Sequence, residues 1–166
     1  LYSCSIDEGS QMENSRGTGL PDMQLVNATY QVSRGDKNPL FVKGKTIEIF
    51  NKTDRTYITE ASFTQYNKDK EIILEGYFGE GEIDTRTNQF ELQQSVHLTI
   101  YPEELSIAGE NLSYNSDQGI VTSNEDQVIT LSNQKGDILK GKGLIGNIEK
   151  TLFEFSELEE GVLNYD

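Results

Sequence analysis

The segment from Phe90 to Ile100 alternates apolar and polar side chains with a period of two. Its even-numbered positions are apolar except for Gln94, and its odd-numbered positions are all polar. Because successive side chains of a β-strand point to opposite faces, this period predicts a strand with one apolar and one polar face. A one-sided strand of this length predicts a large sheet whose apolar faces turn toward each other or toward a ligand.

Similar strand patterns, separated by polar turns, recur from Met23 almost to the end of the chain. The predicted turns are at residues 35–39, 51–54 and 67–70, where Asn, Asp and Gly favour turn conformations. No window of eleven or more residues has an apolar stripe with the helical period. The pattern predicts an all-β protein in which hairpins form a long antiparallel sheet folded over itself, as a sandwich or an open jelly roll.

The length of 166 residues fits one domain with a real core. Residues 1–20 are rich in Ser, Gly, Asn and acidic residues without periodicity, and we expect them to form a flexible N-terminal tether. The domain is expected to occupy residues 21–166. A formal net charge of −14 argues against nucleic acid as a partner, because a polyanion would be repelled. No apolar run of 18 residues occurs, so the sequence predicts no membrane-spanning helix.

The single cysteine, Cys4, excludes an internal disulfide framework and a metal site built from several cysteines. Leu1-Tyr2-Ser3-Cys4 resembles the end of a bacterial lipoprotein signal, in which the cysteine is acylated. Two interpretations stay open: Cys4 carries a lipid, or it is a free cysteine in a flexible tail.

Catalytic patterns are scarce. The only histidine, His97, lies on the predicted polar face of the strand, and no Gly-x-Ser-x-Gly motif presents a nucleophile. Pairs of acidic residues such as Glu103-Glu104 and Glu125-Asp126 are expected by chance in a chain with 28 acids. The sequence therefore predicts a protein that is not an enzyme and that has no cofactor or metal. If the apolar faces close on each other as a packed core, the sequence favours an adhesin or a carbohydrate-binding β-sandwich outside the cytoplasm.

Several short motifs, in order, resemble the LptC family of the bacterial lipopolysaccharide-export bridge and, more distantly, LptA and OstA-like domains. They are Pro21-Asp22-Met23-Gln24-Leu25-Val26-Asn27-Ala28, the strand-and-turn segments Ala61–Asn67 and Glu104–Asn115, Gly119-Ile120-Val121-Thr122-Ser123 before Val128–Leu131, and Gly141-Lys142-Gly143-Leu144.

The resemblance implies an open, twisted β-jelly roll whose apolar groove holds acyl chains of lipopolysaccharide or a similar glycolipid during export to the outer membrane. It also implies a periplasmic domain tethered to the inner membrane. Its N-terminal rim would face the inner-membrane ABC transporter, and its C-terminal edge strand would pair with an LptA-like jelly roll. The chain departs from the family pattern at the tether. Cys4 suggests a lipid anchor in place of a transmembrane helix, or it is merely the residue that follows a removed helix.

An apolar groove binds acyl chains by removing hydrocarbon from water, at roughly 25 cal/mol per Å². The candidate groove residues are apolar positions of the predicted strands: Phe90, Leu92, Val96, Leu98, Ile100, Leu112, Tyr114, Ile120, Phe153 and Phe155. Leu152 is expected to point away from the face that Phe153 and Phe155 share. For every position the other interpretation is an ordinary place in a sandwich core.

Overall fold

The computed structural model describes residues 19–34 and 37–164, and its strands form one antiparallel sheet. None of the described residues is helical, which confirms the predicted all-β class. The predicted turns at residues 51–54 and 67–70 are present. Cys4 and most of the expected tether lie outside the described residues, so that domain boundary stays a prediction.

Ten strands follow one another in the described residues. They are β1 (Met23–Arg34), β2 (Lys37–Phe50), β3 (Arg55–Tyr66), β4 (Ile72–Asp84), β5 (Gln89–Ile100), β6 (Leu105–Asn115), β7 (Ile120–Thr122), β8 (Ile129–Ser132), β9 (Ile138–Asn147) and β10 (Leu152–Val162).

The strands pair in chain order, as expected for successive hairpins. The order across the sheet is β1-β2-β3-β4-β5-β6-β7-β9-β10, and β8 pairs with β6 and β9 beside β7. β7 and β8 therefore act as two halves of one strand that is interrupted by residues 123–128. β1 and β10 each pair with a single neighbour and form the two edges of the sheet.

The long strands bend near their middles. Asn27 in β1 and Glu60 in β3 have φ angles of 50° and 44°, and Gln94 and Ser95 in β5 have φ angles of 66° and 55°. The register shifts at Gln94 and Ser95, which form a β-bulge that bends β5, whereas the pairs on either side of Asn27 and Glu60 keep one register. The pairing of β4 with β5 shifts beside Gly79, at the same level of the sheet.

The bends change which side chains face the core. In β3 the inward side chains are Thr56 and Ile58 before Glu60, and Ala61, Phe63 and Gln65 after it. Glu60 is not an extra residue, because the pairs on either side of it keep one register with β2 and with β4. The inward face instead moves from even-numbered to odd-numbered positions where the backbone of Glu60 is left-handed.

The bends divide the sheet into two layers that face each other. The first layer contains residues 28–34, 38–44, 61–66, 72–78, 96–100 and 105–109 with β8, and the second contains residues 23–26, 46–50, 55–59, 80–84, 89–93 and 111–115 with β7. β9 and β10 also contribute one half to each layer. This folded-over sheet is consistent with the predicted jelly roll, and its core lies between the layers.

Candidate functional site

The apolar space between the two layers is where the sequence places a lipid-binding groove. Seven of the predicted groove residues are completely buried there, with side chains 0–2% exposed. They are Phe90, Leu92, Val96, Leu98, Ile100, Leu112 and Tyr114. These seven residues belong to one continuous cluster of buried apolar side chains from both layers.

Three predicted groove residues lie elsewhere. Ile120 is half-buried on β7, next to the completely buried Val121, and neighbouring residues of a strand point to opposite faces. Phe153 and Phe155 are half-buried on β10 and pack against the core cluster. Leu152 is 61% exposed, yet it lines the same cleft as Phe153 and Phe155.

An apolar cleft opens where β10 closes the sheet, and Phe153 and Phe155 form one of its walls. The cleft has a volume of about 380 Å³. The opposite wall comes from the first layer and the residues near it: Leu105, Leu131, Leu139 and Leu163. The remaining lining residues are Leu152 and the polar residues Ser132, Asn133, Asp137 and Thr151. The sequence brings together two of the predicted groove residues here, and the cleft is continuous with the buried core through Leu131 and the half-buried Leu105 and Leu139.

Glycines on β9 give the two phenylalanine rings their places. A Cβ atom on Gly141 would lie 2.6 Å from Cγ of Phe155 and 2.7 Å from the main-chain oxygen of Glu157, too close for any side chain. Gly146 stands in the same relation to the ring of Phe153. Each ring therefore lies flat on the backbone of β9, which leaves the space in front of it open.

The outer surface of β10 is charged, in contrast to its inner surface. Nζ of Lys142 on β9 lies 3.1 Å from Oε1 of Glu159, and Nζ of Lys140 lies 3.8 Å from Oε2 of Glu160. The hydrogen bond to Glu159, together with its negative charge, raises the pKa of Lys142 above its usual value. These pairs join β10 to β9 on the solvent side and leave the apolar side chains to face inward.

Polar atoms are rare inside the layers. The hydroxyl of Tyr114 donates a hydrogen bond of 2.7 Å to Oε1 of Gln65, whose side chain is 3% exposed. His97 is exposed, as the polar face of β5 predicts. Across the residues that the structure describes, no group of His, Cys, Asp and Glu has an arrangement that could hold a metal ion. The described interior therefore presents mainly apolar surface.

The sequence predicted core residues of β5 and β6 in both layers and missed those of the neighbouring strands and part of the cleft. The missed residues of the first layer are Phe63, Gln65 and Phe78 in the core, and Leu105, Leu131 and Leu139 in the cleft. The glycines of β9 were a usable signal, because closely spaced glycines in a strand often mark the approach of another group to the backbone.

The part of the chain that the structure covers includes no helix that is long and apolar enough to cross a membrane. A search of curated proteins found no significant match. The family model described as "Lipopolysaccharide-assembly, LptC-related" matches residues 3–163, which is nearly the whole chain. The chain belongs to this LptC family, the non-enzymatic periplasmic bridge components of lipopolysaccharide transport that are anchored to the inner membrane.

Proposed function

We propose that this domain carries the acyl chains of lipopolysaccharide, or of a similar glycolipid, between its two layers, and that they enter through the cleft beside β10. The observation that carries the proposal is the largely apolar cleft lined by Phe153, Phe155 and five leucines. A cleft of this kind gains affinity by burying hydrocarbon and needs few directional groups.

The charge of the protein favours acyl chains over the anionic headgroup as the source of affinity. The net charge is −14, and β10 itself carries Glu154, Glu157, Glu159 and Glu160. These carboxylates repel phosphate groups near the mouth of the cleft. Binding energy from the buried hydrocarbon therefore has to exceed this repulsion, and the headgroup is expected to stay in solvent.

The two edges of the sheet support the proposed protein partners. β1 is uncharged from Met23 to Ser33, and β10 is rich in glutamate, and each has one side without a strand neighbour. Unpaired strand edges bind further strands through main-chain hydrogen bonds. In this proposal the N-terminal rim faces the inner-membrane ABC transporter and β10 pairs with an LptA-like jelly roll. Tethering of this chain to the inner membrane, through a lipid on Cys4 or a removed N-terminal helix, is part of the same proposal.

The test replaces one wall of the cleft. Phe153→Ser is expected to weaken binding of a pyrene-labelled fatty acid by roughly tenfold or more, because a buried phenylalanine contributes about 1.5–3 kcal/mol. The matched control is Ile145→Ser on the neighbouring strand β9, whose side chain is 56% exposed and does not line the cleft. Fluorescence titration gives the two affinities, and displacement by purified lipopolysaccharide shows that both ligands use the cleft.

Equal loss of affinity in Phe153→Ser and Ile145→Ser, with both proteins folded by circular dichroism, would refute the cleft as the binding site. Val96 and Leu98 are unsuitable for this test although they are predicted groove residues. Both are at most 1% exposed, so a charge there destabilises the fold itself.

A further inference from the structure

A cluster of aromatic side chains crosses the centre of the space between the layers. Phe63 belongs to the first layer, and Phe90 and Tyr114 belong to the second. The ring centroid of Phe63 lies 6.4 Å from that of Phe90 and 6.3 Å from that of Tyr114, and the planes of Phe63 and Tyr114 differ by 21°. All three side chains are at most 1% exposed. The cluster therefore joins the two layers inside the core, and an acyl chain that extended from the cleft into this part of the core would have to separate its rings.

A hydrogen bond joins the layers at the same place. The hydroxyl of Tyr114 in the second layer donates to Oε1 of Gln65 in the first layer, at 2.7 Å. Both side chains are buried among apolar residues. Separating the layers here removes this bond while its polar groups are still shielded from water, so the bond favours the closed state.

We infer that Phe63, Gln65 and Tyr114 form a latch that holds the two layers together, and that a lipid enters beyond the cleft only when the latch opens. The inference deepens the proposed function and rests on it. The apparent affinity for a lipid is then the intrinsic affinity multiplied by the fraction of molecules that are open. Weakening the latch raises that fraction, so it raises the apparent affinity although no contact with the lipid is gained.

The variant that tests the latch is the double substitution Gln65→Leu with Tyr114→Phe. It removes both polar partners and keeps the aromatic ring, and replacing both partners of a buried hydrogen bond with apolar groups changes stability little. We expect it to bind the pyrene-labelled fatty acid about fivefold more tightly than the wild type does, which corresponds to the loss of one net hydrogen bond. The matched control is Tyr101→Phe. Tyr101 lies in the turn after β5, and its hydroxyl donates a hydrogen bond to Glu75 of β4.

Opening is measured directly by the distance between spin labels on the outer faces of the two layers. Ser62 in the first layer and Gln93 in the second are both exposed and suit substitution by labelled cysteines, with Cys4→Ser to keep the labelling specific. Double electron–electron resonance should show longer distances in the double variant than in the wild type before any lipid is added. The same lengthening should appear in the wild type when the fatty acid is bound.

The outcomes separate the latch from the proposed function. If the wild type and the double variant bind the fatty acid equally and show the same distances, the latch is wrong and the carrier function stands. If the double variant opens but neither protein binds the fatty acid or lipopolysaccharide, the latch is supported and the carrier function is wrong. Tighter binding in Tyr101→Phe, equal to that of the double variant, would also overturn the latch.

Discussion

Asp137 fastens the chain just beyond β10, beside the mouth of the cleft. Its Oδ2 accepts a hydrogen bond of 2.8 Å from the side-chain amide of Asn133, and its Oδ1 accepts one of 2.7 Å from the main-chain N–H of Asn164. The side-chain amide of Asn164 also donates to the main-chain oxygen of Lys135, at 2.9 Å. The amide of Asn133, then the N–H of Asn164, and the charge of Lys135 hold the pKa of Asp137 below its usual value, against a smaller opposing effect of desolvation.

This lowered pKa predicts an acid-sensitive end to β10. The folded-state pKa of Asp137 lies below the unfolded value of about 3.9, so at a pH between these two pKa values the unfolded state binds more protons. The stabilisation is present above pH 4 and is lost as the pH falls through the folded pKa. Urea unfolding of the wild type and of Asp137→Asn should therefore differ at pH 7, and the difference should shrink as the pH is lowered below about 4. A difference that stays constant down to pH 3 contradicts this role for the carboxylate.

Gly141 and Gly146 show how much of the cleft can be predicted from single residues of the sequence. Both glycines are visible in the sequence, and their spacing on β9 indicates close approach of another group. Their partners are not visible, because Phe155 and Phe153 reach them only through the pairing of β10 with β9. The sequence therefore predicted the phenylalanines and left out the backbone surface that supports them.

At the scale of single strands, the bulge in β5 explains the one break in its alternation. Gln94 and Ser95 are both exposed and left-handed, and their pairing shifts between Gln93 and Val96. The side chains before and after this bulge still face inward at even-numbered positions. The bulge therefore bends β5 without moving its apolar side chains to the other face. Gln94 breaks the alternation because its side chain is exposed at the bulge.

The left-handed backbone at Ser95 predicts which residues the bulge accepts. Ser95→Val is expected to lower the free energy of unfolding by about 1–2 kcal/mol, because a β-branched residue is strained at a φ of 55°. Ser95→Gly is expected to leave it unchanged or to raise it. The control is Ser62→Val, since Ser62 is exposed on a regular part of β3. Urea denaturation checks the order, and equal destabilisation by valine at positions 95 and 62 would show that the bulge imposes no such strain.

The other strands explain why core residues outside β5 and β6 were missed. In β3 the inward face changes at Glu60, so its apolar residues follow no single period across the strand. Glutamate is not typical of a left-handed position, and asparagine is common there but also occurs in regular strands, so neither residue type predicts the bend without the tertiary packing. The alternation of β5 gave its groove residues directly, and Phe63 and Gln65 on β3 were missed for this reason.

At the scale of the whole molecule, the two layers of one bent sheet create both the core and the cleft. The predicted all-β class and the LptC family are confirmed, and the family match covers residues 3–163. The assignment of ten groove residues stays a prediction, and the structure places seven of them in a closed core, with Phe153 and Phe155 at the opening. Acyl-chain binding therefore requires the cleft to extend inward as the layers separate.

Two positions on opposite faces of the β9–β10 hairpin allow the most direct test of acyl-chain binding between the layers. Phe155 faces the cleft, and Ile145 is 56% exposed on the outer face of the neighbouring strand. A photoreactive benzoylphenylalanine at position 155 should cross-link purified lipopolysaccharide on irradiation, and the same residue at position 145 should not. Cross-linking of equal yield at both positions, or at position 145 alone, would contradict the claim that acyl chains bind between the layers.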